Sequence, residues 1–503
     1  MKELIVRGCI IMSGSNKTLF VIFGGTGDLT YKKLVPAFYD LYVLNQVEPK
    51  DLEVVIIGRR DYTNETYRET YEETLFKHVR FKNRDEAHIQ GFRELISYYK
   101  MDFHEPDHYF GLRDYLLERG NRALFYLAVA PHSFEEITES LKTSGITAAM
   151  TDKQLLIEKP FGDDLESAIE VDKAIKKCFK ESEIYRIDHY LAKEMMLNIL
   201  TIRFGNMTFE RLWDKDSIES IQVSALEEGG VNDRGNYYDI TGALEDMFQS
   251  HLLQMLSYVL MDRPKSMQPK HLHRAQERAL RRLKPPKLEN FNSEFVLGQY
   301  VSNGEVNSYV DETHVKADSK TETFFAMKLT SSDKRFKDVP IYVRSGKRMK
   351  EQSTYIAITF KPVIGINGKE HDRNVLIIRI GPDEGIYFKV NIKRPGNFDE
   401  TQTVSMDFCQ SCIYENRLNT PQAYERLISH ALKKDRTLFA SWPIVTKSWE
   451  LTEQLQSLVK ESNNQIIPYT AFENGPKESK SLIKTNGHEW VNDEVLGQTF
   501  NGQ

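Results

Sequence analysis

A short apolar segment runs directly into a glycine-rich loop near the start of the chain, and this pairing limits the possible folds. Residues 19–23 (LFVIF) are all apolar, and residues 24–27 (GGTG) follow at once. A continuous apolar run of this length is typical of a strand that is buried on both faces of a parallel sheet. Leu34, Phe38 and Leu41 then recur at helical spacing. The sequence therefore predicts a buried strand, a tight turn and a helix.

The same alternation continues through the first 190 residues. Apolar runs recur there, and charged helical patterns such as 163–179 separate several of them. The predicted strands are 19–23, 54–57, 98–103, 124–129, 155–157 and 184–187. Strands that alternate with helices predict an α/β, Rossmann-like domain with a doubly wound, mostly parallel sheet.

The pattern changes after about residue 215. Segments with period-two alternation recur there without helices between them. They are 218–223, 324–329, 341–343, 355–360, 375–380, 386–392 and 403–408. This alternation is typical of an antiparallel sheet with one covered face, and helical patterns at 242–259 and 423–432 accompany it. We expect the α/β domain over 1–188 and an α+β domain with a large antiparallel sheet over 189–503.

Composition excludes several classes of protein. The 503 residues are 40% hydrophobic and 28% charged, which excludes a disordered or fibrous chain. The 67 basic and 73 acidic side chains give a net charge of −6, and hence no general attraction for nucleic acid or an anionic membrane. We expect neither partner, and no segment approaches the roughly 18 apolar residues that a membrane-spanning helix needs.

The cysteines bear on the cellular compartment. The chain has four of them: Cys9, Cys178, Cys409 and Cys412. They are too few and too scattered for a disulfide framework, so the simplest interpretation is a set of reduced, structural thiols in a cytoplasmic protein. We expect no metal site, because the C-x-x-C of Cys409 and Cys412 has no second pair. Arg7 interrupts the apolar N-terminal segment, which makes a signal peptide a poor interpretation, and Met12 is an alternative start.

The glycine loop indicates a dinucleotide site. Glycines between a strand and a helix let the backbone approach a pyrophosphate at the positive end of the helix. The loop departs from G-x-G-x-x-G, and an ordinary tight turn is the alternative. Arg59 and Arg60 stand where the second strand should end, and guanidinium groups suit the 2′-phosphate of NADP. Asp61 follows them, so NAD stays possible.

Two further segments carry side chains suited to a phosphorylated substrate. Lys159 follows the fifth predicted strand, at the edge of a parallel sheet where ligands bind. Residues 186–194 (RIDHYLAKE) run from a strand into a predicted helix, on which His189 and Lys193 would share one face. Lysine, imidazole and phenol together suit a phosphate monoester. A capped helix start with solvated charges would contain the same residue types.

His251 is a candidate general base. It lies on a predicted helical stretch before an apolar run, where a core histidine is the ordinary interpretation. Oxidation of an alcohol by hydride transfer, however, needs a base for the hydroxyl proton, and an imidazole titrates in the useful range. A carboxylate would orient such a ring.

Taken together, these segments resemble the glucose-6-phosphate dehydrogenase family, from about Thr18 to Trp490. The shared motifs are FGGTGDLTYKKL, EKPFG, RIDHYLAKE, RFGNMTFERLW, GNYYDITGALEDMFQSH, SKTETFFAMKL, VPIYVRSGK and AYERL. RIDHYLxKE is specific to that family, whereas the glycine loop and EKP are not. The resemblance implies oxidation of glucose 6-phosphate to 6-phosphoglucono-1,5-lactone with hydride transfer to NADP, the first step of the oxidative pentose phosphate pathway. It also implies a homodimer or homotetramer, with the second domain binding substrate and forming the dimer.

The resemblance further implies a role for each matching residue. His251 would take the C1 hydroxyl proton, and Asp188 would orient it. The implied substrate-binding residues are His189, Tyr190, Lys193, Glu227, Asp246, Lys347, Gln352 and Lys159. The implied cofactor-binding residues are Gly24, Thr26, Gly27, Lys33, Arg59, Asp102, Phe103 and Lys159.

Three positions depart from the family pattern. Ala192 stands where glycine is usual, and Ser250 stands where asparagine precedes the catalytic histidine. Gln352 stands where a second basic residue is usual. We therefore expect weaker substrate affinity than in a member with two cations, unless Lys350 replaces the missing one.

Two other functions remain open from the sequence. A sugar oxidoreductase for an unphosphorylated sugar could share the glycine loop and EKP, although Lys193 and Lys347 suit an anionic substrate. An NADP-binding sensor without turnover could explain the departures, although Asp188 and His251 are retained.

Overall fold

The computed structural model describes residues 17–82, 85–366, 368–396, 400–410, 412–413 and 419–491. Cys9 and the alternative start at Met12 lie outside the described residues. The chain forms two compact units. The first contains the residues up to Ala192 together with Thr420–Trp442, and the second contains Lys193–Asn419 and the residues from Pro443 onward.

A seven-stranded sheet lies at the centre of the first unit. Its strands are β1 (Thr18–Phe23), β2 (Leu52–Gly58), β3 (Ile96–Lys100), β4 (Arg122–Leu127), β5 (Asp152–Ile157), β6 (Ile184–Ile187) and β16 (Phe439–Ala440). The order is β16-β6-β5-β4-β1-β2-β3, and every pair is parallel except β16 with β6. The chain builds β2 and β3 on one side of β1 and β4 to β6 on the other. The predicted doubly wound parallel sheet is thus confirmed.

Helices follow most of these strands. The helices of the first unit are α1 (Val35–Val43), α2 (Asn64–His78), α3 (Glu86–Leu95), α4 (His108–Leu117), α5 (Phe134–Thr143), α6 (Ile146–Ala149), α7 (Leu165–Lys176) and α14 (Ala423–Leu432). A π-helical turn, Thr30–Leu34, precedes α1. Side chains cap two of the helix starts, because Thr63 accepts the N–H of Thr66 before α2 and Asp164 accepts the N–H of Ser167 before α7.

Residues 420–442 complete the first unit from far along the chain. The Gln154 side-chain amide donates to the carbonyl of Ala431 at 2.8 Å. Arg80 donates Nε and Nη2 to the two carboxylate oxygens of Glu425, at 3.0 and 2.5 Å, and this ion pair is buried. β16 adds an edge strand beside β6. The sequence analysis placed a single domain boundary near residue 188 and did not include residues 420–442 in the first domain. That boundary stays a prediction.

The second unit contains a larger, mostly antiparallel sheet. Its strands are β7 (Ile218–Leu226), β8 (Leu283–Lys284), β9 (Phe295–Val301), β10 (Phe324–Ser331), β11 (Ile341–Gly346), β12 (Ser353–Phe360), β13 (Val375–Gly381), β14 (Gly385–Lys393), β15 (Thr401–Cys409) and β17 (Ile466–Thr470). The order is β15-β14-β13-β12-β7-β11-β10-β9-β17, with β8 beside β10. Only β7 with β11 and β9 with β17 are parallel among these described pairs. The predicted α+β domain with a large antiparallel sheet is confirmed.

Helices also interrupt the second unit. They are α8 (Glu194–Gly205), α9 (Met207–Arg211), α10 (Gly235–Ala243), α11 (Leu253–Leu260), α12 (Pro269–Arg282), α13 (Phe291–Glu294), α15 (Trp442–Glu461) and α16 (Lys477–Lys484). A π-helical segment, Leu244–Leu252, joins α10 to α11. Among the described residues, no helix combines the length and the apolar character that spanning a membrane requires.

The structure corrects the expectation for two cysteines. Cys409 and Cys412 form a disulfide, so the interpretation of both as reduced thiols is wrong. Cys409 is the last residue of β15, and the following turn brings the two Cα atoms to 5.3 Å, which is within the usual disulfide range. Cys178 is a free, half-buried thiol, and its partial burial raises its pKa.

Candidate active site

Most of the predicted cofactor residues follow the carboxyl ends of neighbouring parallel strands. In the register of the sheet, Phe23 at the end of β1 pairs with Ile57 in β2, and Gly58 pairs with Lys100 at the end of β3. Gly24 and Arg59 come directly after two of these ends, and Asp102 stands two residues after the third. The carboxyl edge of an open parallel sheet is where such folds bind ligands, next to the strand at which the order reverses. Here the order reverses at β1, beside β4.

The glycine loop fits a pyrophosphate. Gly24 has φ +84°, and a Cβ atom there would overlap the carbonyl oxygen of Ala128, so only glycine fits. The N–H of Gly27 bonds to the carbonyl of Gly24 at 3.1 Å, and the Thr30 hydroxyl bonds to the same carbonyl at 3.2 Å. Gly27 is exposed and Thr26 is half-buried. The closed turn therefore presents an open backbone surface at the start of a helix, as a dinucleotide phosphate requires.

Two charged side chains follow β2. Arg59 is exposed just past the strand end. The Asp61 carboxylate is paired with the Lys100 ammonium at 2.9 Å, and that ammonium lowers its pKa. A guanidinium at this edge of the sheet is able to bind a phosphate, and the neighbouring carboxylate is able to accept a hydroxyl hydrogen.

The remaining cofactor candidates of the first unit lie near the same edge. Lys33 is exposed within the π-helical turn before α1. The Asp102 carboxylate accepts the N–H of His104 at 3.1 Å, and Phe103 packs edge-on against Phe23, with ring centroids 6.5 Å apart. Lys159 is half-buried directly after β5.

Sequence analysis missed the residue that precedes Lys159. Oε1 of Glu158 accepts hydrogen bonds from the Tyr126 hydroxyl at 2.5 Å and from the Tyr424 hydroxyl at 3.1 Å. Loss of hydration raises the pKa of Glu158 to about 7, Asp188 adds to the rise, and the two phenols oppose it. The EKP and AYERL motifs were the available signals, but nothing in their spacing shows that they meet.

The RIDHYLAKE segment leaves strand β6 after Ile187 and forms a turn before helix α8 begins at Glu194. The Asp188 carboxylate is buried and accepts the N–H of Tyr190 at 2.9 Å, while its carbonyl accepts the N–H of Leu191. Aspartate side chains that bond in this way compete with helix formation. Helix α8 begins only at Glu194, so the prediction that His189 and Lys193 share one helix face is wrong. The His189 ring packs edge-on against Tyr190 at 5.0 Å.

Ala192, one of the three departures, is buried at the end of this turn. Its carbonyl accepts Nη1 of Arg426 at 3.3 Å, and Arg426 belongs to the AYERL motif.

The second unit brings three of the predicted substrate residues to one cavity. Glu227, Lys347 and Gln352 all line it, together with Tyr238. Nζ of Lys347 lies 2.5 Å from Oε2 of Glu227 and 5.0 Å from the centre of the Tyr238 ring. The Lys347 side chain is buried, so its ammonium faces the cavity with little competition from water. In such a pair, the ammonium can donate to the phosphate of a sugar phosphate, and the carboxylate can accept a hydrogen bond from one of its hydroxyl groups.

A cation that sequence analysis missed lines the same cavity. Arg234 is 64% exposed, and its Nη2 lies 4.0 Å from Oδ1 of Asp246, which is buried. Lys350 was expected to replace the missing second basic side chain, but it is exposed and is not among the residues that line the cavity. Arg234 thus places a guanidinium at the cavity where Gln352 carries no charge. It was overlooked because an arginine in a polar loop has no sequence signal of its own.

Replacing Gln352 by lysine should lower the KM for glucose 6-phosphate. Gln352 is exposed at the cavity, so an added ammonium would gain about 0.2–1 kcal/mol, or up to roughly a fivefold lower KM. Steady-state kinetics of Gln352→Lys and of the uncharged control Gln352→Met would measure this. An unchanged KM in Gln352→Lys would count against a phosphate contact at this position.

His251 and Asp246 lie on the π-helical segment 244–252, and both are buried. π-helical turns widen the spacing along a helix and occur often at functional sites. The departure at Ser250 has a local role, because its hydroxyl donates to the carbonyl of Asp246 at 3.0 Å. Lys193 is half-buried near the β13–β14 turn, where its charge opposes the rise that burial causes in the pKa of Glu384.

Comparisons with known proteins agree with these observations. The model of the glucose-6-phosphate dehydrogenase NAD binding domain matches residues 21–198, and that of the C-terminal domain matches 200–491. The glucose-6-phosphate 1-dehydrogenase of Bacillus subtilis is 39% identical over 492 residues, covering 95% of this chain and 98% of the relative. That of Leuconostoc mesenteroides is 34% identical over 486 residues, covering 94% and 98%.

A solved structure is similar over the same length. It is a glucose-6-phosphate dehydrogenase in complex with its substrate glucose-6-phosphate, with a TM-score of 0.87 and 32% identity, covering 95% of this chain and 99% of the other. Two domain models in order, relatives above 30% identity and a near-complete structural match all agree with the motifs described above. The chain belongs to the glucose-6-phosphate dehydrogenase family.

Proposed function

We propose that this chain oxidises glucose 6-phosphate at C1 to 6-phosphoglucono-1,5-lactone, with transfer of the hydride to NADP. The observation that carries the proposal is the full-length similarity to glucose-6-phosphate dehydrogenases, one of them in complex with glucose-6-phosphate. Steady-state kinetics with glucose 6-phosphate, followed by NADPH absorbance, test it directly. Absence of turnover with either NADP or NAD would leave a dinucleotide-binding sensor as the function.

The proposed roles follow the chemistry of the step. When bound, the nicotinamide supplies the acceptor for the hydride that leaves C1 with its electron pair. His251 takes the proton of the C1 hydroxyl as the C1–O bond becomes a carbonyl, and Asp188 orients its ring and stabilises the imidazolium. Both positions stay proposals, as do the other assigned substrate and cofactor residues.

The sugar is proposed to be held by its phosphate and its hydroxyl groups. Lys347, Lys193, His189 and Tyr190 bind the phosphate, and Glu227 and Asp246 accept from sugar hydroxyls. Binding energy from a remote phosphate places C1 correctly and so raises the rate of the chemical step. An oxidoreductase for an unphosphorylated sugar would have no use for the buried Lys347 ammonium, so comparison of glucose with glucose 6-phosphate separates the two functions.

NADP is the proposed cofactor, and Arg59 is the proposed ligand of its 2′-phosphate. Replacing Arg59 by alanine should raise the KM for NADP about 10- to 100-fold, since a hydrogen bond to a charged group contributes about 1.5–3 kcal/mol. The KM for NAD, which has no 2′-phosphate, should change little and serves as the internal control. An equal loss with both cofactors would remove Arg59 as the source of the preference.

The assembly and the location are also proposals. We propose a homodimer or homotetramer formed by the second domain, predicted over 189–503. An apolar face of β14 and β15 supports this, because Met406 is 62% and Phe408 47% exposed there, opposite Phe388 and Ile386. Light scattering would give the molar mass. A cytoplasmic location agrees with the free thiol of Cys178, whereas the Cys409–Cys412 disulfide gives it no support.

A further inference from the structure

We infer that Glu322 is a positioning residue for the dehydrogenase reaction, because it fixes the start of the segment that carries Asp246 and His251. The inference rests on the proposed function through the role of His251. Glu322 belongs to the SKTETFFAMKL motif, to which the family resemblance assigned no role. It lies 71 residues after His251 in the chain, directly before Thr323 and strand β10.

Glu322 satisfies the first backbone donors of the π-helical segment. Its Oε1 accepts the N–H of Leu244 at 3.0 Å, and its carbonyl oxygen accepts the N–H of Ala243 at 3.1 Å. The first N–H groups of a helix have no partner within the helix and are usually capped by the residue just before it. Here the helical turn restarts after the kink at Gly242, and a residue from a distant part of the chain supplies the acceptors.

Gly242 and Glu322 also fit each other sterically. Gly242 has φ +61° and ψ −175°, a conformation that is essentially restricted to glycine, and it kinks α10 just before the π-helical segment begins at Leu244. A Cβ atom at Gly242 would lie 2.5 Å from Oε1 of Glu322, too close for a contact. The Glu322 carboxylate therefore lies directly against the kink at Gly242, at the start of the segment that carries His251.

Thr323, the residue after Glu322, bonds to the backbone of Lys347. The carbonyl of Thr323 accepts the N–H of Lys347 at 2.9 Å, and the Tyr469 hydroxyl donates to the carbonyl of Lys347 at 2.6 Å. The Thr323 hydroxyl lies 3.0 Å from the Tyr469 hydroxyl, and both residues are buried. Glu322 thus bonds to the start of the segment that carries the proposed base, and the adjacent Thr323 bonds to the backbone of Lys347, the proposed phosphate ligand.

Through these bonds, Glu322 and Thr323 affect the distance between Lys347 and His251, which the bound substrate must span. A hexose phosphate bound by Lys347 presents C1 at a fixed distance from its phosphate, so the base has to stand at that distance from the lysine. Loss of hydration raises the pKa of Glu322 to about 7, while the backbone donors oppose the rise. Because a protonated carboxyl and a carboxamide both retain an acceptor oxygen, glutamine should replace Glu322 in this role.

The test compares Glu322→Ala with Glu322→Gln, with Lys320→Ala as the control. Lys320 is exposed and lies beside Glu322 at a second cavity, separate from the one that contains Lys347, and it has no proposed role. Misplacement by about 1 Å can cost roughly 100-fold in rate, so we expect kcat of Glu322→Ala to fall about 10- to 100-fold. The KM for glucose 6-phosphate, the Kd for NADP and the kcat of Glu322→Gln and Lys320→Ala should stay within about threefold of wild type.

The possible results separate the two claims. If the wild-type protein does not oxidise glucose 6-phosphate, the proposed function fails before the variants are compared. If the wild type is active and Glu322→Ala retains its kcat, or if Glu322→Gln loses as much as Glu322→Ala, the positioning role is overturned. If Glu322→Ala does not fold, Glu322→Asp takes its place, since the shorter side chain withdraws its oxygen from the N–H of Leu244. Full kcat in that variant would likewise overturn the inference.

Discussion

Replacement of His251 by asparagine should abolish glucose 6-phosphate oxidation and leave NADP binding intact. A positioned general base contributes about 100- to 10,000-fold to such a step, and asparagine cannot take the proton. Its smaller side chain still offers polar atoms to the buried surroundings of His251, so the π-helical segment should stay folded. NADPH absorbance would measure turnover, and isothermal titration would measure the affinity for NADP.

The control for this experiment is a histidine of the same unit outside the proposed site. His271 is half-buried on α12 and bonds to the Ser266 hydroxyl at 2.8 Å. His271→Asn should keep its turnover. Substantial turnover in His251→Asn, with an unchanged melting temperature, would exclude His251 as the base and leave its burial as a packing feature.

Replacement of Lys347 by methionine should reduce kcat/KM for glucose 6-phosphate about 30-fold or more. A hydrogen bond to a charged group such as the substrate phosphate contributes about 1.5–3 kcal/mol, and 1.4 kcal/mol corresponds to a factor of ten. Methionine keeps most of the apolar stem of Lys347 but removes the ammonium, which lies 5.0 Å from the centre of the Tyr238 ring, so the loss reports on the ammonium. Glu227 is only partly buried and can be hydrated once its partner is gone.

Glucose serves as the matched substrate for the Lys347 experiment. It has no phosphate, so its slow oxidation should change far less in Lys347→Met than that of glucose 6-phosphate. Lys361→Met is the matched variant, because Lys361 is an exposed lysine at the end of β12 outside the cavity. An equal loss with both substrates would show that Lys347 supports the structure of the site rather than the phosphate.

The sequence was a good guide wherever local periodicity decides the structure. Buried strands in an alternating order place Gly24, Arg59, Lys159 and Asp188 after strand ends, and the parallel register brings those ends to one edge. Helix α14 spans Ala423–Leu432, as the periodicity predicts. These features follow from short-range patterns of apolar and polar residues.

Features that depend on distant parts of the chain could not be predicted in this way. Local patterning does not show that α14 packs beside Gln154, that β7 pairs in parallel with β11, or that Glu322 caps the segment after Gly242. The helix predicted after Asp188 failed for a local reason, since the carboxylate bonds to a nearby N–H and holds a turn. The cavity role of Arg234 appears only once the loop is folded.

The discontinuity of the first unit affects how the protein is made. A ribosome releases residues up to Ala192 long before α14 and β16 exist, so the nascent sheet has an open edge at β6, and Arg80 lacks its partner Glu425. Open edges of sheets invite pairing with other chains. Synthesis of the whole second-unit segment up to Asn419 must come first, so the first unit is complete only after Thr420–Trp442 has left the ribosome.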